Sequence, residues 1–87
     1  MDDDTSREHA REMAKLGRAV RALREERGLS EREVADAVRG ISLASLRAIE
    51  AGTAKRSLDY ARLICLARAL GVEPGGLIRR ADSLEAE

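Results

Sequence analysis

Two short helices with strong start and stop signals stand next to each other in the middle of this chain. Ser30 is a favourable N-cap, and Glu33 follows three residues later, at the spacing of a reciprocal capping box. Gly40 supplies a turn, Ser42 caps the next helix, and Gly52 stops it. Because each helix is bounded by its own sequence, the chain is constrained here to two short helices joined by a tight turn.

Each of these short helices carries an apolar face at helical spacing. The residues that form the faces are Val34, Ala35 and Val38 on the first helix and Leu46 and Ile49 on the second. A helix braced from behind by a neighbour is able to project its outer residues into the major groove of DNA. The leading hypothesis from the residues alone is therefore a small DNA-binding protein.

Hydrophobic spacing and end signals predict three further helices, which gives an all-α chain of five helices. The first is predicted to begin at a capping box of Thr5 and to end at Gly28. The fourth is predicted over 58–70 after a loop at 53–57, and the fifth opens at Pro74. No strand-like alternation of apolar and polar residues competes with this assignment.

The composition indicates an aliphatic core and a reducing environment. The 87 residues include no Trp, no Phe and one Tyr, so the chain lacks the aromatic platforms on which RNA-binding sheets and single-strand binders stack bases. One cysteine excludes an internal disulfide and a multi-cysteine zinc site. The first residues are unlike a signal peptide and no apolar run has membrane-spanning length, so a cytoplasmic protein without membrane attachment is expected.

The formal net charge of zero conceals an uneven distribution. An acidic N-terminal extension, 1–12, which is also a candidate helical segment, has a net charge of −3, and so has an acidic C-terminal tail, 81–87. The domain predicted between them, 13–80, holds fourteen basic and eight acidic residues and has a net charge of +6. Because the local charge steers a polyanion, the neutral total does not exclude nucleic acid as a partner.

No arrangement of residues for enzyme chemistry is recognisable. His9, the single histidine, stands near Glu8 and Glu12, where pairing with acids on a solvated helix face is favoured over catalysis. Cys65 is interpreted as a small, partly buried filler of the fourth helix, with a redox-sensing thiol as the alternative. The sequence therefore predicts no enzyme activity, no cofactor and no metal site.

Short segments with a characteristic order and spacing cover about 63 of the 87 residues, from Leu16 to Ile78. They are Leu16-Gly17, Leu23-Arg24, Arg27-Gly28-Leu29-Ser30, Val34-Ala35, Gly40-Ile41-Ser42, Leu46, Ile49-Glu50, Gly52 and Leu66-Ala67-Arg68-Ala69-Leu70-Gly71-Val72. Together these segments resemble the phage repressor, Cro and Xre class of helix-turn-helix domains. The resemblance implies a compact five-helix bundle and a regulator of transcription that binds specific sequences of double-stranded DNA.

The resemblance also assigns roles residue by residue. It implies that Ile41, Leu46 and Ile49 point inward and hold the recognition helix, around 43–51, in place. It implies that the contacts to DNA are made by Ser30, Arg32, Ser42, Leu43, Ala44, Ser45, Arg47, Ala48, Lys55 and Arg56. Ser30 matches a residue that touches a phosphate, and Lys55 and Arg56 match a basic loop that grips the DNA backbone.

Simpler interpretations of the same residues stay open. Ser30 and Ser42 are explained equally well as helix caps alone. Arg47, Lys55 and Arg56 are also explained as solvated surface cations that bind nothing.

Three features depart from the family pattern. Glu31 stands where the family usually has glutamine, and a phosphate would repel its carboxylate. Arg39 adds one residue to the turn between the two short helices. On the outer face of the recognition helix only Ser45 and Arg47 carry groups that hydrogen-bond to bases, and the other residues are apolar. An apolar outer face also suits a helical protein-interaction module, antitoxin-like or associated with RNA polymerase, and this alternative function stays open.

A homodimer on a pseudo-palindromic operator is expected from geometry. One recognition helix reads only a few base pairs, and a two-fold pair of helices suits half-sites about 34 Å apart. The fifth helix is the expected dimer surface, with Val72, Leu77 and Ile78 as exposed candidates.

Overall fold

Five helices form the fold of the chain in the computed structural model, which describes residues 3–54 and 58–86. The helices are α1 (Asp3–Glu26), α2 (Glu31–Ala37), α3 (Leu43–Ala51), α4 (Tyr60–Ala69) and α5 (Pro74–Ala86). No strand occurs in these two described ranges, so the predicted all-α, five-helix bundle is confirmed. No helix within them combines the length and the apolar character that crossing a membrane requires.

Helix α1 is the longest element, and it begins earlier than its sequence signals indicate. It starts at Asp3 and continues for 24 residues, so Thr5 lies inside the helix and the predicted N-cap at Thr5 is wrong. The predicted end is confirmed, because Gly28 follows the helix with φ 68°, in the left-handed region.

Helices α4 and α5 also follow local signals at their starts. The side chain of Asp59 caps α4 by accepting the backbone N–H of Arg62, so the helix begins at Tyr60, two residues later than predicted. Pro74 opens α5 as predicted. Thr53 and Ala54 are not helical, as expected for the loop, and the rest of the predicted loop lies outside the described residues.

The core is aliphatic and is shared by all five helices. Its largest fully buried side chains are Val20 of α1, Val34 and the adjoining Val38 of α2, Leu46 of α3, Leu66 and the adjoining Leu70 of α4, and Leu77 of α5. Helix α5 packs mainly against α1 and also contacts α4. Burial of each such side chain contributes about 1.5–3 kcal/mol, so the bundle is stabilised without aromatic residues.

Two surface assignments from the sequence are wrong. Leu77 is completely buried in the core, because its helix packs inward against α1, and it is therefore not an exposed dimer candidate. Cys65 is exposed on α4 and is not a partly buried filler, because the buried side of this helix is occupied by Leu66 and Ala67.

Ion pairs connect the first helix, α1, to the last helix, α5. The ammonium of Lys15, which is 7% exposed, lies 3.2 Å from carboxylate oxygens of both Glu12 and Asp82. Arg80 pairs with Glu26. Ala81 is buried, and α5 continues through the position where the sequence places the start of a tail. The acidic residue Asp82 therefore pairs with α1 in the folded domain.

Helices α1 and α3 approach so closely at Gly17 that no side chain fits between them. A Cβ atom at this position would lie 2.0 Å from the carbonyl oxygen of Ile49 and 3.1 Å from that of Glu50. These neighbours are backbone atoms and are unable to rotate away. Gly17 therefore sets the distance between the first helix and the third.

We predict that Gly17→Ala destabilises the domain by about 1–3 kcal/mol or more, since the added methyl group forces the two helices apart. Gly76→Ala is the matched control, because a Cβ there would lie 3.7 Å from its nearest neighbour, Val72. This control should gain about 0.5–1 kcal/mol, as is usual when alanine replaces glycine within a helix. Urea unfolding followed by circular dichroism gives both values, and equal stability of the two variants would contradict the close approach.

Candidate nucleic-acid interface

Helix α2 begins with a complete capping box. The backbone N–H of Glu33 donates to the Ser30 hydroxyl oxygen at 3.0 Å, and the backbone N–H of Ser30 donates to the Glu33 carboxylate at 2.8 Å. These hydrogen bonds, first of all the one from the Ser30 backbone, lower the pKa of Glu33 below its ordinary value. The predicted capping box is confirmed, and it fixes the N-terminal end of α2.

The turn between α2 and α3 depends on a glycine with positive φ. Gly40 has φ 85°, a conformation that other residues rarely adopt, and the backbone N–H of Ile41 donates to the carbonyl of Val38 at 3.2 Å. The guanidinium of Arg62 lies directly over Gly40, where a Cβ would come within 2.9 Å of it. The extra residue, Arg39, is exposed beside this turn.

Helix α3 is bounded as the sequence predicts. The Ser42 hydroxyl oxygen accepts the backbone N–H of Ser45 at 3.0 Å, and Gly52 ends the helix with φ 74°. Leu46 and Ile49 are buried, so the inner face of α3 is attached to the core.

The outer face of α3 is mostly accessible and carries few polar groups. Ser42, Ala44, Ser45 and Arg47 are exposed, whereas Leu43 and Ala48 are half-buried. The hydroxyl oxygens of Ser42 and Ser45 lie 3.0 Å apart and are hydrogen-bonded to each other. Among the predicted contacts outside α3, Ser30 and Arg32 are exposed near the start of α2. Lys55 and Arg56 lie outside the described residues.

A nearly buried ion pair holds α3 to α1. Arg24 donates from Nε and Nη2 to the two carboxylate oxygens of Glu50, at 2.7 and 3.1 Å, in a bidentate arrangement. The Arg24 side chain is 13% exposed and that of Glu50 is 6% exposed. Arg24 also donates from Nη1 to the carbonyl oxygen of Leu29 at 2.9 Å. A single guanidinium thus connects α1, the α1–α2 connection and α3.

The Arg24 guanidinium of this pair stays charged in the physiological pH range. The hydrogen bond to Glu50, reinforced by the charge of that carboxylate, raises the pKa of Arg24 above its already high ordinary value. A raised pKa of a base means that its stabilising contribution is lost only when the pH rises through that pKa. The cationic side of the connection between α1 and α3 is therefore present at every ordinary pH.

A second ion pair lies on the outer surface, between α2 and α3. Nε of Arg47 donates to Oε1 of Glu31 at 3.2 Å. The side chain of Arg47 is 62% exposed and that of Glu31 is 31% exposed. The one cationic side chain of α3 is therefore partnered by the residue at which the sequence departs from the family pattern.

Sequence reasoning did not find either ion pair. Arg24 and Glu50 stand 26 positions apart, and Glu31 and Arg47 stand 16 apart, so no helical spacing links them. Only the pair of Arg24 and Glu50 left a trace in the sequence, because both residues belong to segments that carry the family resemblance. Among the described residues, no group of three or more His, Cys, Asp or Glu side chains is arranged to hold a metal ion.

Comparison with known proteins agrees with this geometry. A family model described as helix-turn-helix, of the Xre/Cro type, matches residues 20–77, two thirds of the chain. The chain belongs to the Xre/Cro-type helix-turn-helix family. No curated protein matches the sequence.

One solved structure shows the same fold. It is the crystal structure of the clp gene regulator ClgR from Corynebacterium glutamicum, with a TM-score of 0.78 and 28% sequence identity. The match covers 86% of this chain and 77% of the ClgR chain. Family and neighbour together support a DNA-binding transcriptional regulator and point away from an enzyme.

We predict that Glu50→Ala destabilises the domain by about 3–5 kcal/mol, because the Arg24 charge is then left buried without its partner. The double variant Arg24→Met, Glu50→Leu should lose less, since it removes both charges and keeps apolar volume at the site. Urea unfolding of both variants measures the difference. A loss below about 1 kcal/mol for Glu50→Ala, the value typical of surface pairs, would contradict the role assigned to this contact.

Proposed function

We propose that this protein is a sequence-specific transcriptional regulator that binds double-stranded DNA with α3 in the major groove. The observation that carries the proposal is the asymmetry of α3. Its inner side is fixed by Leu46, Ile49 and the Arg24–Glu50 pair, while its outer side is left accessible. A helix presented in this way matches the docking of helix-turn-helix proteins on base edges. We also propose that the protein acts in the cytoplasm.

The contacts divide by chemistry into base reading and backbone binding. Arg47 and Ser45 are the proposed hydrogen-bonding groups toward base edges. The apolar residues Leu43, Ala44 and Ala48 suit contact with the methyl groups of thymine. Phosphate contacts are assigned to Ser30, Arg32, Ser42, Lys55 and Arg56. The proposal for Lys55 and Arg56 depends on the family resemblance.

The proposal includes a homodimer on a pseudo-palindromic operator. Of the three apolar residues predicted to form the dimer surface, burial of Leu77 leaves Ile78, which is 49% exposed, and the half-buried Val72. Two copies related by a two-fold axis would place two α3 helices on half-sites about 34 Å apart.

A protein-interaction module is the second candidate function. It is favoured by one specific observation: Arg47, the only cation of α3, is already paired with Glu31, so the outer face is almost neutral and largely apolar. A protein partner, and not a polyanion, suits a surface of this kind.

Selection of bound sequences from a random duplex pool tests the proposal. A palindromic consensus is expected, and affinity for the consensus duplex should fall steeply as salt increases, because phosphate contacts release counterions. An absence of enrichment, together with no retention on random duplex at low salt, would reject DNA binding and favour the protein-interaction module.

We predict that Arg47→Ala and Lys55→Ala affect binding differently. Arg47→Ala should cost about 1–3 kcal/mol on the consensus and relax the preference at one base pair. Lys55→Ala should weaken binding to all sequences alike and reduce the salt slope by about one. Fluorescence anisotropy at several salt concentrations measures both effects. Arg68→Ala, an exposed cation in the last turn of α4, is the control that should leave binding unchanged.

A further inference from the structure

We propose that Glu31 is a positioning residue that orients Arg47 to read guanine and at the same time suppresses its attraction to phosphates. This inference rests on the proposed function, since it concerns the same DNA-facing surface. It identifies a determinant of specificity on α2, outside the recognition helix. It also assigns a task to the carboxylate at Glu31, which by charge alone works against DNA binding.

The geometry of the pair leaves the end of the guanidinium open. Glu31 Oε1 accepts only the Nε–H of Arg47, at 3.2 Å. The two Nη groups have no hydrogen-bond partner in the parts of the chain that the structure describes. The carboxylate therefore contacts the side of the guanidinium near the aliphatic stem, and the Arg47 side chain as a whole is 62% exposed.

Guanine is the base that such an open end recognises. Its O6 and N7 atoms are two adjacent acceptors in the major groove, and a planar guanidinium meets them with two donors at once. A free arginine side chain must lose about 2 kcal/mol of rotamer freedom to adopt that pose. A carboxylate that already holds Nε lowers this loss, because the plane of the guanidinium is fixed before the DNA arrives.

The support for this orientation comes from a different helix. Glu31 is the first residue of α2, whose start is fixed by the capping box of Ser30 and Glu33. Helix α3, which carries Arg47, is fixed separately by its buried inner face and by the Arg24–Glu50 pair. Both ends of the outer ion pair therefore stand on rigid elements, which is the condition for a side chain to be held in one geometry.

The negative charge of Glu31 has a second consequence. An arginine with no counter-charge attracts any phosphate that comes near it, and this attraction does not depend on sequence. Glu31 offsets the charge of Arg47 while leaving its Nη donors available for a base. The pair thereby weakens binding to random duplex and preserves binding to a duplex with guanine at the correct position.

The test compares the wild type with Glu31→Ala, Glu31→Gln and Asp36→Ala. Each protein is titrated by fluorescence anisotropy with three duplexes. They are the consensus duplex that the wild type selects, the same duplex with the guanine read by Arg47 replaced, and a random duplex. Asp36 is an exposed acid of the same helix that makes no contact with Arg47, so its variant removes an equal charge without touching the pair. Circular dichroism verifies that each variant is folded.

Glu31→Ala should reduce discrimination against the replaced guanine about three- to tenfold, part of the roughly 5–150-fold that a bidentate arginine contact supplies. The same variant should bind random duplex more tightly. Glu31→Gln should retain the discrimination, because an amide oxygen also accepts the Nε–H, and yet bind random duplex more tightly. Asp36→Ala should leave discrimination unchanged. In an Arg47→Ala background, Glu31→Ala should have no effect on discrimination.

Three results would contradict this inference: two overturn the positioning role alone, and the third also rejects the proposed function. If the wild type selects a consensus and Glu31→Ala discriminates as well as the wild type does, the positioning role is overturned while the proposed function stands. The role is equally overturned if Asp36→Ala loses as much discrimination as Glu31→Ala does. If the wild type binds no duplex at all, the proposed function fails and this inference fails with it.

Discussion

The bidentate contact between Arg24 and Glu50 is the interaction on which the arrangement of this domain depends. It joins α1 to the C-terminal half of α3, and through the carbonyl of Leu29 it also fixes the chain that leads into α2. An ion pair this close to burial is tolerable only when its geometry is good and its remaining donors are satisfied, because desolvation of the charges is costly. Here the geometry is bidentate, and each of the three guanidinium nitrogens of Arg24 has a hydrogen-bond partner. The position of α3 is thereby determined by a contact that does not use the outer face of the helix.

Close packing of small residues makes that contact possible. Gly17 lets the backbone of α1 approach the carbonyls of Ile49 and Glu50, and Gly52 lies directly against Ala14. Without aromatic side chains the core has no large groups to fill wide gaps, so the helices must lie close together. The consequence is rigidity: α3 is packed against both α1 and α2, and its outer side chains are presented from a fixed helix.

The sequence predicted those parts of the structure that local chemistry decides. Both ends of α3 and the capping box of α2 follow from Ser42, Gly52 and Ser30, whose effects act within one turn of the helix. The inward direction of Leu46 and Ile49 follows from helical spacing in the same way. Most residues assigned to DNA contact by resemblance are accessible where the structure describes them.

Features that depend on how the helices pack together could not be predicted from local sequence patterns. Leu77 was assigned to the surface, because its burial depends on how α5 docks against α1. Cys65 is predicted from the sequence to be partly buried and is exposed, because an apolar helix does not reveal which of its sides faces the bundle. The pair of Glu31 and Arg47 joins α2 and α3 across 16 positions of sequence, so only the packing of the two helices against each other reveals it.

Nuclear magnetic resonance mapping on the intact protein tests the central claim most directly, namely that the outer face of α3 meets a duplex. Backbone amide signals of the labelled protein are followed while a selected duplex is added. The account predicts that the largest shifts fall on Ser42–Ala48 and on the start of α2 around Ser30, while the exposed side of α5 near Arg79 changes little. Shifts concentrated on α4 or α5, with α3 unaffected, would contradict the account.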